Sequence, residues 1–125
     1  MELVNLTPHD VVIVADDGSE QTLTYPRTGR VARAVEHAPR GHALADNMSV
    51  GTMLIRYDGV QDLPDPVPGV GYIVSVLTAI AAQMAGRSVA DLYYPGGLVR
   101  DIAGRVIGCE ALYQLAPAAL RGDQT

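Results

Sequence analysis

The sequence predicts an α+β domain, strand-rich, in which a twisted antiparallel sheet or partial barrel carries one main helix. Three observations predict it. Short apolar runs recur along the chain with turn chemistry between them. One stretch alone, residues 76–85, combines helical spacing with a cap before it and a glycine after it. No internal repeat or linker interrupts the 125 residues, so one domain is expected over residues 1–115, with the Ala/Pro/Gly-rich residues 116–125 as a frayed tail.

Residues 3–6 read as a strand stopped at Thr7-Pro8-His9-Asp10, and residues 11–15 as a second. Asp16-Asp17-Gly18-Ser19 then turns the chain into a third strand over residues 21–25. Pro26-Arg27-Thr28-Gly29 is another turn. Residues 30–37 alternate, with Val31, Arg33 and Val35 on one face and Arg30, Ala32 and Ala34 on the other. Residues 38–47 lack a period and read as loop. A strand over residues 48–57 is expected to leave through Asp58-Gly59, and the alternate prolines Pro64, Pro66 and Pro68 make an extended connection.

Tyr72-Ile73-Val74 reads as a short buried strand. Ser75 is placed to cap the helix, whose apolar set is Val76, Leu77, Ile80, Ala81 and Met84, while Ala79, Ala82 and Ala85 allow close approach to a sheet. Gly86 ends it. Residues 91–94 are extended, Pro95-Gly96-Gly97 is loop, and residues 98–100 and 105–115 form a hairpin through Asp101-Ile102-Ala103-Gly104.

Composition narrows the function classes. A net charge of −5 argues against a general nucleic-acid surface. All nine basic residues are arginine, which forks onto phosphate and stacks on a base better than lysine does, although coding bias is the plainer source. Tyrosine is the only large aromatic. Cys109 stands alone, so no internal disulfide forms, and the start MELVNLTPHD lacks the basic and apolar regions of a signal peptide. The expected compartment is the cytosol. The uncharged stretch 66–86 retains only about 15 apolar residues after its Pro/Gly-broken front, short of the roughly 20 a membrane span needs.

Three places invite a ligand. In Thr28-Gly29-Arg30-Val31-Ala32-Arg33 the alternation aims Arg33 toward an apolar surface, where a guanidinium needs a carboxylate or a ligand anion. Both a phosphate site and a structural ion pair satisfy that. Arg100 ends a strand beside Gly96-Gly97 and is free to clamp a phosphate or to stand exposed, while Asp101 and Gly104 suit turn chemistry. Tyr72 and Ser75 bracket a strand before a helix amino terminus, which favours anions, though a cap is the simpler role for Ser75. Gly69-Val70-Gly71 is no dinucleotide fingerprint, because the third glycine and the βαβ unit are missing.

Catalytic and metal chemistry find no foothold. His9, His37 and His42 have no ligand spacing, Glu36-His37 and His42 with Asp46 read as loop residues, and Cys109 reads as a small core residue. No Walker lysine exists in a chain without lysine, and Ser75 and Ser88 lack nucleophile-elbow glycines. No cofactor is expected, and no enzyme.

Asn5-Leu6-Thr7-Pro8-His9-Asp10, Thr28-Gly29-Arg30-Val31-Ala32-Arg33, Leu63-Pro64, Tyr72-Ile73-Val74-Ser75, Asp91-Leu92, Pro95-Gly96, Val99-Arg100-Asp101 and Gly104-Arg105-Val106-Ile107-Gly108-Cys109 follow one another in this order. The order, extending to about Leu115, resembles a group of small phage and prophage proteins that includes the Thoeris anti-defence sponges. Sponges sequester the immune signal glycocyclic ADP-ribose uncleaved, and related ones take up cyclic oligonucleotides at a separate site. The resemblance implies a cytoplasmic homo-oligomer, a hexamer built from dimers, holding ligand between protomers. It implies Arg33 and Arg100 as the leading diphosphate and adenine contacts, Arg30 next, then Tyr72 as an aromatic plate with Ser75, Thr28 and Gln83 as polar contacts. The absence of phenylalanine departs from the stacking pattern. The competing expectation is a phage structural or regulatory accessory protein that works through protein contacts, its arginines paired to acids.

Overall fold

The computed structural model describes residues 1–15, 22–37 and 56–116. Eight strands and one helix occur among them: β1 (Glu2–Asn5), β2 (Val11–Val14), β3 (Thr22–Tyr25), β4 (Arg33–His37), β5 (Arg56–Gln61), β6 (Val70–Ile73), α1 (Val76–Met84), β7 (Leu92–Arg100) and β8 (Val106–Tyr113). The expected turn at 16–19, the loop at 38–47, the first part of the 48–57 strand and the tail from 117 onward lie outside the described residues.

The fold is α+β. Six strands form one sheet in the order β1-β6-β7-β8-β2-β3, and β4 and β5 form a second, two-stranded sheet. The larger sheet is mixed rather than antiparallel: β1 with β6, β6 with β7 and β2 with β8 run parallel. For β6 and β7 the reason is the helix. A β6–α1–β7 crossover returns the chain in the same direction, so the βαβ unit that the sequence reading found missing is present. Its β6–α1 connection is Val74-Ser75, with no glycine, and it remains unlike a dinucleotide fingerprint.

Alternation in β1 and β6 feeds two cores. Tyr72 with Leu6, Val74 and Leu92 packs under Ala79 and Ala82 of α1 on one face, with Val4 and Val70 alongside. Ile73 packs with Val11 and Cys109 on the other, joined by Leu3 and Tyr25. Leu3 and Tyr25 come from the first and last strands of the sheet order, so the sheet curls on itself. The Asn5 side chain closes that curl by donating from Nδ2 to the Tyr25 carbonyl at 2.8 Å.

The helix turns a different face inward from the one its larger residues suggested. Thr78, Ala79, Ala81 and Ala82 are buried, while Leu77 and Met84 are exposed. Small side chains let the helix axis sit close to the sheet, and that proximity excludes the bulkier set. Ser75 is the N-cap, accepting from the Thr78 N–H, and Gly86 follows the C-cap at φ +88°.

Strand phase in residues 30–37 also departs from expectation. The strand begins only at Arg33; Ala32 is buried and donates its N–H to the Leu6 carbonyl at 3.0 Å, and Arg33 is exposed. Burying Ala32 leaves the Arg33 guanidinium in water, which costs less than desolvating it. Asp58-Gly59, expected as a strand exit, lies inside β5 opposite Val35, where the ladder shifts register and Gly59 takes φ +95°. Pro95-Gly96-Gly97, expected as loop, runs within β7. Among the described residues, no helix is long and apolar enough to cross a membrane.

Candidate functional site

The amino end of α1 meets the carboxyl ends of β1 and β6. Leu6 donates to the Ile73 carbonyl at 2.8 Å, and Ala32 is tied to Leu6, which brings the start of β4 alongside. A cleft of about 300 Å³ opens there, lined by Thr7, Arg33, Glu36, Tyr57, Ser75 and Thr78 among others. Arg33 and Ser75, singled out separately in the sequence, therefore share one site.

Hydrogen bonds fix its walls. Asn5 is buried and holds the Thr7-Pro8-His9 turn: its Nδ2 donates to the His9 carbonyl at 2.8 Å, and its Oδ1 accepts from the Thr7 N–H at 2.9 Å and the Thr7 hydroxyl at 2.7 Å. The Thr28 hydroxyl donates to the Asn5 carbonyl at 3.0 Å and accepts from the Arg30 N–H at 3.2 Å, so Thr28 shapes the turn before β4. Thr78 donates from its hydroxyl to the Ala32 carbonyl at 3.3 Å, tying α1 to that strand.

The arginines divide clearly. Arg27 lies 3.9 Å from Asp10, Arg56 3.1 Å from Asp58, Arg87 2.9 Å from Asp91 and Arg105 3.0 Å from Asp101. Among the described residues, the arginines without a carboxylate partner are Arg30, Arg33 and Arg100, the three named from the sequence. Arg30 is exposed on the Thr28–Gly29 turn. Arg100 donates from Nη1 to the Gly104 carbonyl at 2.8 Å, buckling the β7–β8 turn.

Arg33 and Arg100 do not meet within one subunit. Ile73, beside the cleft, pairs with Tyr93, and β7 carries the chain seven residues further to Arg100, a run of roughly 20 Å. Tyr72 is 6% exposed, packed in the core under α1, and offers no free ring face for stacking. Gln83 stands at the other end of α1, donating to the Ala116 carbonyl at 3.3 Å. It lines a separate cleft of about 590 Å³ with Arg87, Ser88 and Gln114.

That larger cleft offers little to an anion, because its arginine is already engaged. Arg87 bonds both oxygens of Asp91 and the carbonyls of Ser88 and Pro64, leaving only a buried Nε without a partner among the described residues. A third cleft, about 410 Å³, runs past Val11, Leu98, Val106 and Ile107 with no arginine in its lining. Cys109 borders it, 3% exposed, with burial pushing its thiol pKa up. Among the described residues, no three His, Cys, Asp or Glu side chains gather to hold a metal.

Glu36, Tyr57 and Thr7 line the cleft as well, and none of them stood out in the sequence as a site residue. Glu36 and Tyr57 face each other across the β4–β5 ladder. The pairing of two strands separated by a long connection was the signal that could have found them. No family model, curated protein or solved structure matches the chain.

Proposed function

We propose that this chain is a non-catalytic binding protein of the host bacterial cytosol that sequesters a cyclic nucleotide immune signal of the glycocyclic ADP-ribose type and so blocks anti-phage defence. The observation that carries the reading is Arg33. It lines a cleft at a helix amino terminus, beside the Ser75 cap, and has no carboxylate partner among the described residues. A guanidinium fork next to outward N–H groups is a natural receptor for phosphate oxygens.

The motif order resembling the anti-defence sponges supplies the identity of the ligand, and a separate site for cyclic oligonucleotides belongs to the same reading. Arg100 joins the site only when a second protomer brings it, which fits a homo-oligomer of dimers, up to a hexamer. Leu98, Ile102, Val106 and Ile107 are exposed around the Arg100 hairpin, and such an assembly would cover them. The same exposed side chains favour a second reading, a phage accessory protein that acts through protein contacts.

Incubation with glycocyclic ADP-ribose followed by heat denaturation tests the proposal. Intact ligand is expected in the supernatant, preceded by a rise in melting temperature that Arg33→Ala removes. Cleaved product would make the chain an enzyme. A melting temperature indifferent to every phosphorylated nucleotide would favour the accessory reading.

A further inference from the structure

The cleft that holds Arg33 also holds a carboxylate. Glu36 lies three residues along β4 from Arg33, so their backbone positions are roughly 10 Å apart. Among the described residues neither is in an ion pair, with each other or with a third group. Tyr57, half-buried on β5, is directly opposite Glu36 and lines the same cleft.

This arrangement disfavours a bare anion. A phosphate drawn to Arg33 gains nothing from Glu36, which as a carboxylate only accepts hydrogen bonds and repels negative charge. A ligand uses both ends only when it is bipolar, with an anion at one end and hydroxyl or amino donors at the other. It must also be small, since about 300 Å³ is the lower limit of ordinary small-molecule sites. One ribose phosphate unit with its base has that character: phosphate at Arg33, ribose hydroxyls donating to Glu36, base against the Tyr57 ring.

We infer that Glu36 and Tyr57 form the selectivity element of the cleft, which takes a single ribonucleotide unit through its sugar hydroxyls and base. The inference rests on the binding function proposed above and adds what the site discriminates. A larger signal molecule then places one nucleotide unit here and the remainder outside the cleft.

Calorimetric titration of the full chain with inorganic phosphate, ribose 5-phosphate, adenosine 5′-monophosphate and its 2′,3′-dideoxy analogue tests it. The ribonucleotide should bind tightest. Glu36→Gln should weaken it about tenfold, with little change for phosphate or the dideoxy analogue. Tyr57→Leu should weaken the ribonucleotide about tenfold while sparing ribose 5-phosphate, and Tyr57→Phe, which keeps the ring, should bind like the wild type. Binding that Arg33→Ala abolishes but that Glu36→Gln leaves equal or tighter for every probe overturns this inference alone. Absence of binding to all four probes overturns the proposed function with it.

Discussion

Asn5→Ala removes four hydrogen bonds at one stroke. The side chain is 2% exposed and donates to the His9 and Tyr25 carbonyls at 2.8 Å each, while accepting from the Thr7 N–H and hydroxyl at 2.9 and 2.7 Å. Two of the former partners recover. His9 is exposed, so water can reach its carbonyl, and the single Thr7 hydroxyl proton can turn to that same oxygen, 2.9 Å away. The Thr7 N–H and the Tyr25 carbonyl are left without replacements, at about 1–3 kcal/mol each. The expected loss is therefore about 2–6 kcal/mol, a fall of roughly 8–24 °C in Tm for a chain of this length. Urea unfolding followed by far-ultraviolet circular dichroism measures it. Asn5→Asp sharpens the test: it keeps an acceptor for Thr7 but turns a buried carboxylate toward two carbonyl oxygens, and should be at least as damaging as alanine. An Asp variant as stable as the wild type would refute the bonding scheme, and with it the closure of the sheet at β1 and β3.

Arg33→Ala should change stability by no more than about 0.5 kcal/mol, because an exposed side chain without a carboxylate partner holds nothing together, while nucleotide binding in a thermal-shift assay disappears. Asp91→Ala should cost about 3–5 kcal/mol in urea unfolding, since Arg87 and Asp91 are only 13% and 14% exposed and the deletion strands a buried guanidinium. Cys109 predicts an alkaline effect. Burial raises its pKa above 9.0, so above that pH the unfolded thiol ionises while the folded one stays protonated, and stability falls as pH rises. Tyr113, whose phenol donates to Glu110, is raised as well and pushes the same way. Comparing Cys109→Ala with the wild type from pH 8 to about 11 isolates the thiol, and an unchanged slope would count against it.

What the sequence disclosed depended on whether the deciding force was local. Ser75 and Gly86 bound α1 because capping and a left-handed C-terminal glycine act within a few residues. The Asp101–Gly104 turn was legible for the same reason: Gly104 donates to the Asp101 carbonyl at 2.9 Å, and Arg105 bonds the Asp101 carboxylate at 3.0 Å. Parallel pairing was not legible. Alternation shows that residues 2–5 and 70–73 are extended, but nothing in either segment names the other as partner. The loop expected at Pro95-Gly96-Gly97 failed through a tertiary effect. Pairing of β6 to β7 stops at Tyr93, so from Tyr94 onward that edge of β7 carries no ladder and tolerates a proline. The Tyr113 ring lies where a Gly96 side chain would be, supplying the packing that glycine lacks.

The site divides along the same line, and Arg33 shows why. By hydrophobicity alone the phase that turns Val31 and Val35 inward outweighs the one that turns Ala32 and Ala34 inward. Desolvation overrides that preference: with no carboxylate beside it among the described residues, an inward Arg33 would cost more than leaving two valines half-buried. The premise that an inward arginine demands a ligand therefore fails, and the residue remains a candidate for the opposite reason. An exposed guanidinium that spends itself on no neighbour is available to a ligand at no cost in stability. The other described arginines, Arg30 and Arg100 apart, already hold carboxylates. A structural arginine loses stability and function together when truncated, whereas Arg33 should lose binding with its melting curve intact; a coupled loss would return it to the scaffold.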